Sequence, residues 1–109
     1  PKRNALYFGT GNNHSNPPTG TSDSVIATDL ETGKILWVSQ MTKGGDPWNI
    51  ACTTGGPNCP ENAGPDHDIG NSPVLVDLKN GKRAIVFGQK SGEVHAIDPD
   101  NGGKLLWTR

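Results

Sequence analysis

The sequence predicts an all-β protein, a β-propeller fragment of about two blades. Three observations lead there. Residues 25–37 recur as residues 94–107, with Val25, Ala27, Asp29, Gly33, Lys34 and Trp37 answered by Val94, Ala96, Asp98, Gly103, Lys104 and Trp107. A second match lies upstream, where residues 5–9 and 84–88 share the pattern Ala-x-x-Phe-Gly. Each copy reads as a strand, an Asp-led turn closed by Gly, and a second strand carrying Trp. A unit repeated in this way needs neighbours to bury its apolar face. The third observation is composition: a hydrophobic share of 31%, with 15 Gly and 9 Pro, suits short strands joined by many turns and argues against a large independent core.

The elements follow in order. Residues 5–10 form a short strand ended by Gly11, Asn12 and Asn13. A polar loop runs over residues 14–23, where Pro17 and Pro18 exclude regular structure. Residues 24–30 are the next strand, 31–33 the hairpin turn and 35–40 its partner. Residues 42–71 lack periodicity and are rich in Gly, Pro and Asn; a loop of that length is usually functional or disordered. Strands resume at 72–78, 83–89, 93–98 and 104–108.

Three units result: residues 1–41, the last three strands of one blade; residues 42–71, a long active-site loop; and residues 72–109, the next four-stranded blade. A propeller needs roughly four blades or more. The basic pair Lys2 and Arg3 nearly repeats at Lys82 and Arg83, so the chain reads as starting within a blade and as an interior piece of a longer protein.

The turn residues have structural work to do. Asp29 and Asp98 can accept hydrogen bonds from turn amides, Gly33 and Gly103 can take positive φ, and each Trp can lie flat between blades. With a net charge of −1, the chain offers no electrostatic reason to bind nucleic acid or an anionic membrane. It also has no apolar run long enough to span a bilayer.

The pattern Ala-x-Asp-x-x-Thr-Gly-Lys-x-x-Trp, present from Ala27 to Trp37 and degenerate from Ala96 to Trp107, resembles the tryptophan-docking motif of pyrroloquinoline-quinone (PQQ) dehydrogenases. Three further stretches resemble that family in order and spacing: Gly9 to Asn13, Pro65 to Gly70 and Gln89 to Gly92. The likeness runs through the whole chain and is nearest to the polyvinyl-alcohol dehydrogenase-like branch. It implies an eight-bladed parent that oxidises an alcohol, small or polymeric, to the carbonyl compound with PQQ and Ca²⁺. It also implies an electron acceptor such as a cytochrome c, and a periplasmic or secreted location.

The residues themselves support a site at one channel mouth. Laying Phe8 and Gly9 on Phe87 and Gly88 puts Gly11 on Lys90 and Asn12 on Ser91, so Asn12 and Lys90 leave corresponding strands at the same end of adjacent blades. Asp68 lies just before the first strand of its blade and can reach the same mouth. Asn12 and Asp68 supply hard oxygen donors that suit Ca²⁺. The resemblance assigns Asn12 to calcium and Asp68 to the general base, with a contact to the metal. It assigns Lys90 to the quinone oxygens, where its charge stabilises developing negative charge. Asp66 and His67 are the alternatives to Asp68, and the family's usual Trp before this Asp is His67 here.

Cys52 and Cys59 are seven positions apart, without a zinc pattern or a Cys-x-x-Cys-His haem motif. A disulfide in an oxidising compartment is expected, two free thiols being the alternative. Trp48 either lines the substrate entrance or anchors the loop. His14 and His95 read as surface or packing residues. Two functions are open: a quinoprotein dehydrogenase, which accounts for Asn12, Asp68 and Lys90, or a non-catalytic propeller serving as an assembly or interaction scaffold, which leaves them unexplained.

Overall fold

The structure is a computed structural model that describes residues 4–109. The Lys2–Arg3 pair read above lies outside the described residues. Two antiparallel sheets make up the fold. The first contains β1 (Ala5–Gly9), β2 (Ser24–Asp29) and β3 (Ile35–Gln40) in that spatial order. The second contains β4 (Val74–Asp77), β5 (Arg83–Gly88), β6 (Val94–Asp98) and β7 (Lys104–Thr108), again in chain order. Among the described residues the only helix is one 3-10 turn, Ile50–Thr53, inside the long loop. The all-β expectation holds, and the up-and-down meander of each sheet is the blade pattern that the repeats imply.

The repeats are equivalent in register as well as in sequence. Ala27 pairs with Trp37 and Ala96 with Trp107, and each ladder slips just after that alanine. The Asp-led turns match too. The Asp29 carboxylate accepts from the Glu31 and Thr32 backbone N–H groups, while Asp98 accepts from Asp100 N–H. Gly33 and Gly103 close these turns at φ 70° and 72°, in the left-handed region open to glycine.

The core lies between the sheets: Val25, Ile69, Ile85, Phe87 and Ile97 are buried, with Tyr7, Trp37 and Met41 packed against them. Trp37 from the first sheet lies on Gly103 of the second, so closely that a Cβ there would stand 2.6 Å from its ring. Ser39 Oγ donates to Gly103 O at 2.7 Å beside it. The equivalent Trp107 is 41% exposed, and nothing lies within 4 Å of a Cβ added at Gly33. The docking contact is thus made once between the two sheets, and its two complementary halves, an exposed Trp and an open Gly, face outward at opposite ends. Ile35, Leu36, Val74, Leu75, Leu105 and Leu106 are exposed as well.

Candidate active site

The site forms where β1 and β5 end. β1 ends at Gly9, where Ile69 packs close; a Cβ at Gly9 would lie 2.6 Å from the Ile69 side chain. Two residues on, Gly11 leaves room for a carboxylate, since a Cβ there would stand 2.5 Å from Asp68 Oδ1. That oxygen accepts from the Asn12 backbone N–H at 2.7 Å. The Asn12 side-chain amide donates to Trp48 O at 2.5 Å and Asn13 O at 3.2 Å, so its Oδ1 is the atom left for a ligand. From the other blade, Lys90 N–H donates to Asp68 O at 2.9 Å. Lys90 Nζ stands 3.8 Å from Asp68 Oδ2 and 5.6 Å from the Trp48 ring centre. Asn12, Asp68 and Lys90 therefore come together, and Trp48 joins them from the long loop.

The nearest partner of the Lys90 ammonium is Asp66, which it contacts directly. Asp66 is the first cause of a Lys90 pKa held above the ordinary lysine value, ahead of Asp68. Its backbone sits at φ 61°, unusual outside glycine although Asp and Asn tolerate it best. A buried carboxylate holds it there. Asp46 Oδ1 accepts from Asp66 N–H at 3.1 Å and Oδ2 from His67 N–H at 2.7 Å. Gly64 permits the approach, because a Cβ there would fall 2.1 Å from Asp46 Oδ1. Asp46 in turn is fixed by Asn13 N–H donating to its carbonyl at 2.7 Å, and by its own N–H donating to Ser22 Oγ at 3.1 Å.

Beside this anchor lies a second buried acid. Asp23 is fully buried and its carboxyl oxygens have no partner at hydrogen-bond geometry; Asp46 and Thr42 face it from just outside that geometry. Burial, and then the Asp46 carboxyl, push its pKa up to about 7, with Thr42 pulling the other way.

A neutral network braces the segment from the β6 side. Gln89 Nε2 donates to His67 O at 2.8 Å and to Thr42 Oγ1 at 3.2 Å, which turns Gln89 Oε1 toward His95 Nε2 at 2.9 Å. His95 therefore donates from Nε2 and accepts the Thr108 hydroxyl at Nδ1, 2.8 Å away. Burial holds its pKa below the usual value and keeps the ring neutral, against a smaller pull from Glu93. Of the two readings the sequence left open for His95, surface or packing, the buried ring fits packing, with a bridging role that was not legible there.

Cys52 and Cys59 are joined in a disulfide across the turn that follows Asn49, the N-cap of the 3-10 helix. Asn49 Oδ1 accepts from Ala51 N–H, and its amide donates to His14 O and Asn58 O, tying both loops together. Among the described residues no three His, Cys, Asp or Glu side chains group as a metal site. Asn12 and Asp68 are donors of the right kind for Ca²⁺ but too few to hold it alone, since that ion takes six to eight oxygens.

Two sheets docked Trp on Gly, with polar groups gathered at one end of the shared seam, define a segment of a tryptophan-docked β-propeller. No family model and no solved structure matches the chain. Curated proteins do. The chain is 48% identical over its whole length to a polyvinylalcohol dehydrogenase from a Pseudomonas species. It is 38% identical over 98% of its length to a polyvinylalcohol dehydrogenase from Sphingopyxis sp. (strain 113P3). It spans 17% of the length of each. The chain is thus similar throughout to polyvinylalcohol dehydrogenases, and the family resemblance read from its motifs is borne out.

Proposed function

We propose that the chain is part of a longer, eight-bladed quinoprotein dehydrogenase that oxidises a small or polymeric alcohol to the carbonyl compound with PQQ and Ca²⁺. Residues 1–41 and 72–109 are its neighbouring blades and residues 42–71 the loop that carries much of the site. The observation that supports this best is the meeting of Asn12, Asp68 and Lys90 in a chain similar throughout to two polyvinylalcohol dehydrogenases.

Asp68 is the general base. Its Oδ1 is held by the Asn12 N–H, so Oδ2 is the atom that takes the hydroxyl proton. Asn12 Oδ1 and the Asp68 carboxylate are the oxygens this chain offers to Ca²⁺, with the remaining donors coming from outside it. Lys90, cationic beside two carboxylates, offers its N–H donors to the quinone oxygens. Bound PQQ supplies the electron acceptor and Ca²⁺ the Lewis acid; the protein positions and polarises them. Trp48 forms an apolar wall under the Lys90 ammonium. Electrons leave to an acceptor such as a cytochrome c. The disulfide supports a periplasmic or secreted location, where such bonds persist. Among the described residues no helix is long and apolar enough to cross a membrane.

The test is reconstitution of the full-length parent with PQQ and Ca²⁺, followed by a dye-linked alcohol oxidation assay. Cofactor-dependent oxidation is the expected result. A folded parent that neither binds PQQ nor oxidises alcohols overturns the proposal in favour of a scaffold propeller.

A further inference from the structure

Two carboxylates two residues apart, Asp66 and Asp68, flank one ammonium, and they do so unequally. Lys90 Nζ is in direct contact with Asp66 Oδ2 and stands 3.8 Å from Asp68 Oδ2. Asp66 is also the more enclosed of the two, its side chain 14% exposed against 29% for Asp68. The inequality is built into the backbone. Asp46 receives the N–H groups of both Asp66 and His67, and this bends residue 66 to φ 61°. Across the turn, Asp68 is held separately by Asn12 N–H, which keeps its Oδ1 occupied.

We infer that Asp66 is the counter-ion of Lys90 and a positioning residue of the site: it holds the ammonium and keeps it from closing onto Asp68. The chemistry requires such a partition. A carboxylate locked in a direct ion pair has its oxygen occupied by the ammonium's N–H donors and is less open to a substrate hydroxyl. A site with Lys90 and Asp68 alone would collapse into that pair. Asp66 takes the ammonium, so Lys90 stays placed while Asp68 Oδ2 stays open. The functional half of this inference rests on the dehydrogenase reading above; the pairing itself does not.

The test uses the full-length parent and two readouts. In the cofactor-free protein, acylation of Lys90 by an amine-reactive ester is followed by peptide mass spectrometry, with the other lysines as internal standards. Asp66→Asn is the suitable change, since Asn tolerates the same positive φ. It is expected to speed Lys90 acylation about two- to fivefold, the range for a partly exposed ion pair, and Asp68→Asn is expected to speed it less. An equal or larger effect of Asp68→Asn, or none from Asp66→Asn, overturns the inference. In the PQQ- and Ca²⁺-loaded protein, Asp66→Asn is expected to lower turnover roughly three- to tenfold when Lys90 is present, and under about twofold in a Lys90→Ala background, because the two residues act as one unit. Equal losses in both backgrounds assign Asp66 a role apart from Lys90 and refute the positioning claim. A parent that shows the labelling order yet binds no PQQ upholds the pairing while the dehydrogenase reading falls.

Discussion

Replacing Gly103 by alanine tests how the blades are joined. The residue sits at φ 72°, where an L side chain costs about 1–2 kcal/mol. Its new Cβ would also lie 2.6 Å and 2.7 Å from Trp37 ring carbons and 3.0 Å from Ser39 Cβ. The indole cannot retreat freely, because Tyr7 packs against it with ring centres 5.8 Å apart. Overpacking of this kind adds about 1–3 kcal/mol. Together the two effects amount to about 2–5 kcal/mol. Gly33 is the internal control. It closes the matching turn, one residue shorter, at nearly the same φ of 70°, yet nothing lies within 4 Å of its added Cβ in this chain. Backbone strain alone, about 1–2 kcal/mol, applies to it here. In a full-length propeller, however, the preceding blade would lay its own Trp on Gly33, and both substitutions should cost alike. Urea unfolding of the full-length parent measures this through the shift in midpoint at unchanged slope. A Gly103→Ala variant as stable as the parent would refute the docking of Trp37. A Gly33→Ala cost that stays at the strain value would refute a further blade on that side.

Three other outcomes are expected. In the full-length parent, Asp68→Asn should leave the fold intact and slow alcohol oxidation by about 10²–10⁴-fold, whereas Asn12→Ala should be partly rescued by excess Ca²⁺; parental rates in both would remove these residues from the chemistry. Thiol counting under denaturing, non-reducing conditions should find Cys52 and Cys59 unreactive, and two titratable thiols would contradict the bond. The raised Asp23 pKa means that the folded state holds this proton more tightly than the unfolded chain does. Its contribution is therefore fully present below about 4 and is lost as pH rises through about 7. Asp23→Asn should flatten that fall in a pH series of unfolding midpoints, and an unchanged profile would show that Asp23 is ionised without penalty.

Much of the fold was legible because repetition is a strong signal. Two copies of one strand–turn–strand unit located the Asp-led turns, the positive-φ glycines and the docking tryptophans without any structure. Strand ends were less legible, since local hydrogen bonding as well as residue type decides them. The strand expected over residues 72–78 is Val74–Asp77: Pro73 lacks an N–H to start it earlier, and Gly81 N–H donates to Leu78 O in the turn that follows it. Likewise β5 ends at Gly88, one residue short of the expected bound, where the hairpin begins: Gly92 N–H donates to Gln89 O. The loop over residues 42–71 showed no periodicity, so neither its 3-10 turn nor its path could be read.

The site was legible in its members and not in their pairing. Aligning Gly9 with Gly88 was enough to bring Asn12 and Lys90 to one end, because a propeller repeats its geometry. Which carboxylate meets Lys90 depends instead on how the loop returns across some 20 residues from Asp46 to Asp66. Sequence offers Asp68, with Asp66 and His67 as the alternatives, and does not single out Asp46. The structure distinguishes the three carboxylates by environment: Asp46 is fully buried and takes backbone N–H groups on both oxygens, Asp66 takes the ammonium, and Asp68 keeps one oxygen exposed. Gly64 is the residue that could have betrayed the arrangement. Its missing side chain makes room for the buried Asp46 carboxylate, just as Gly11 makes room for that of Asp68. A glycine outside a turn in such a loop marks a place where something must come close, and here both places are occupied by the carboxylates that shape the site.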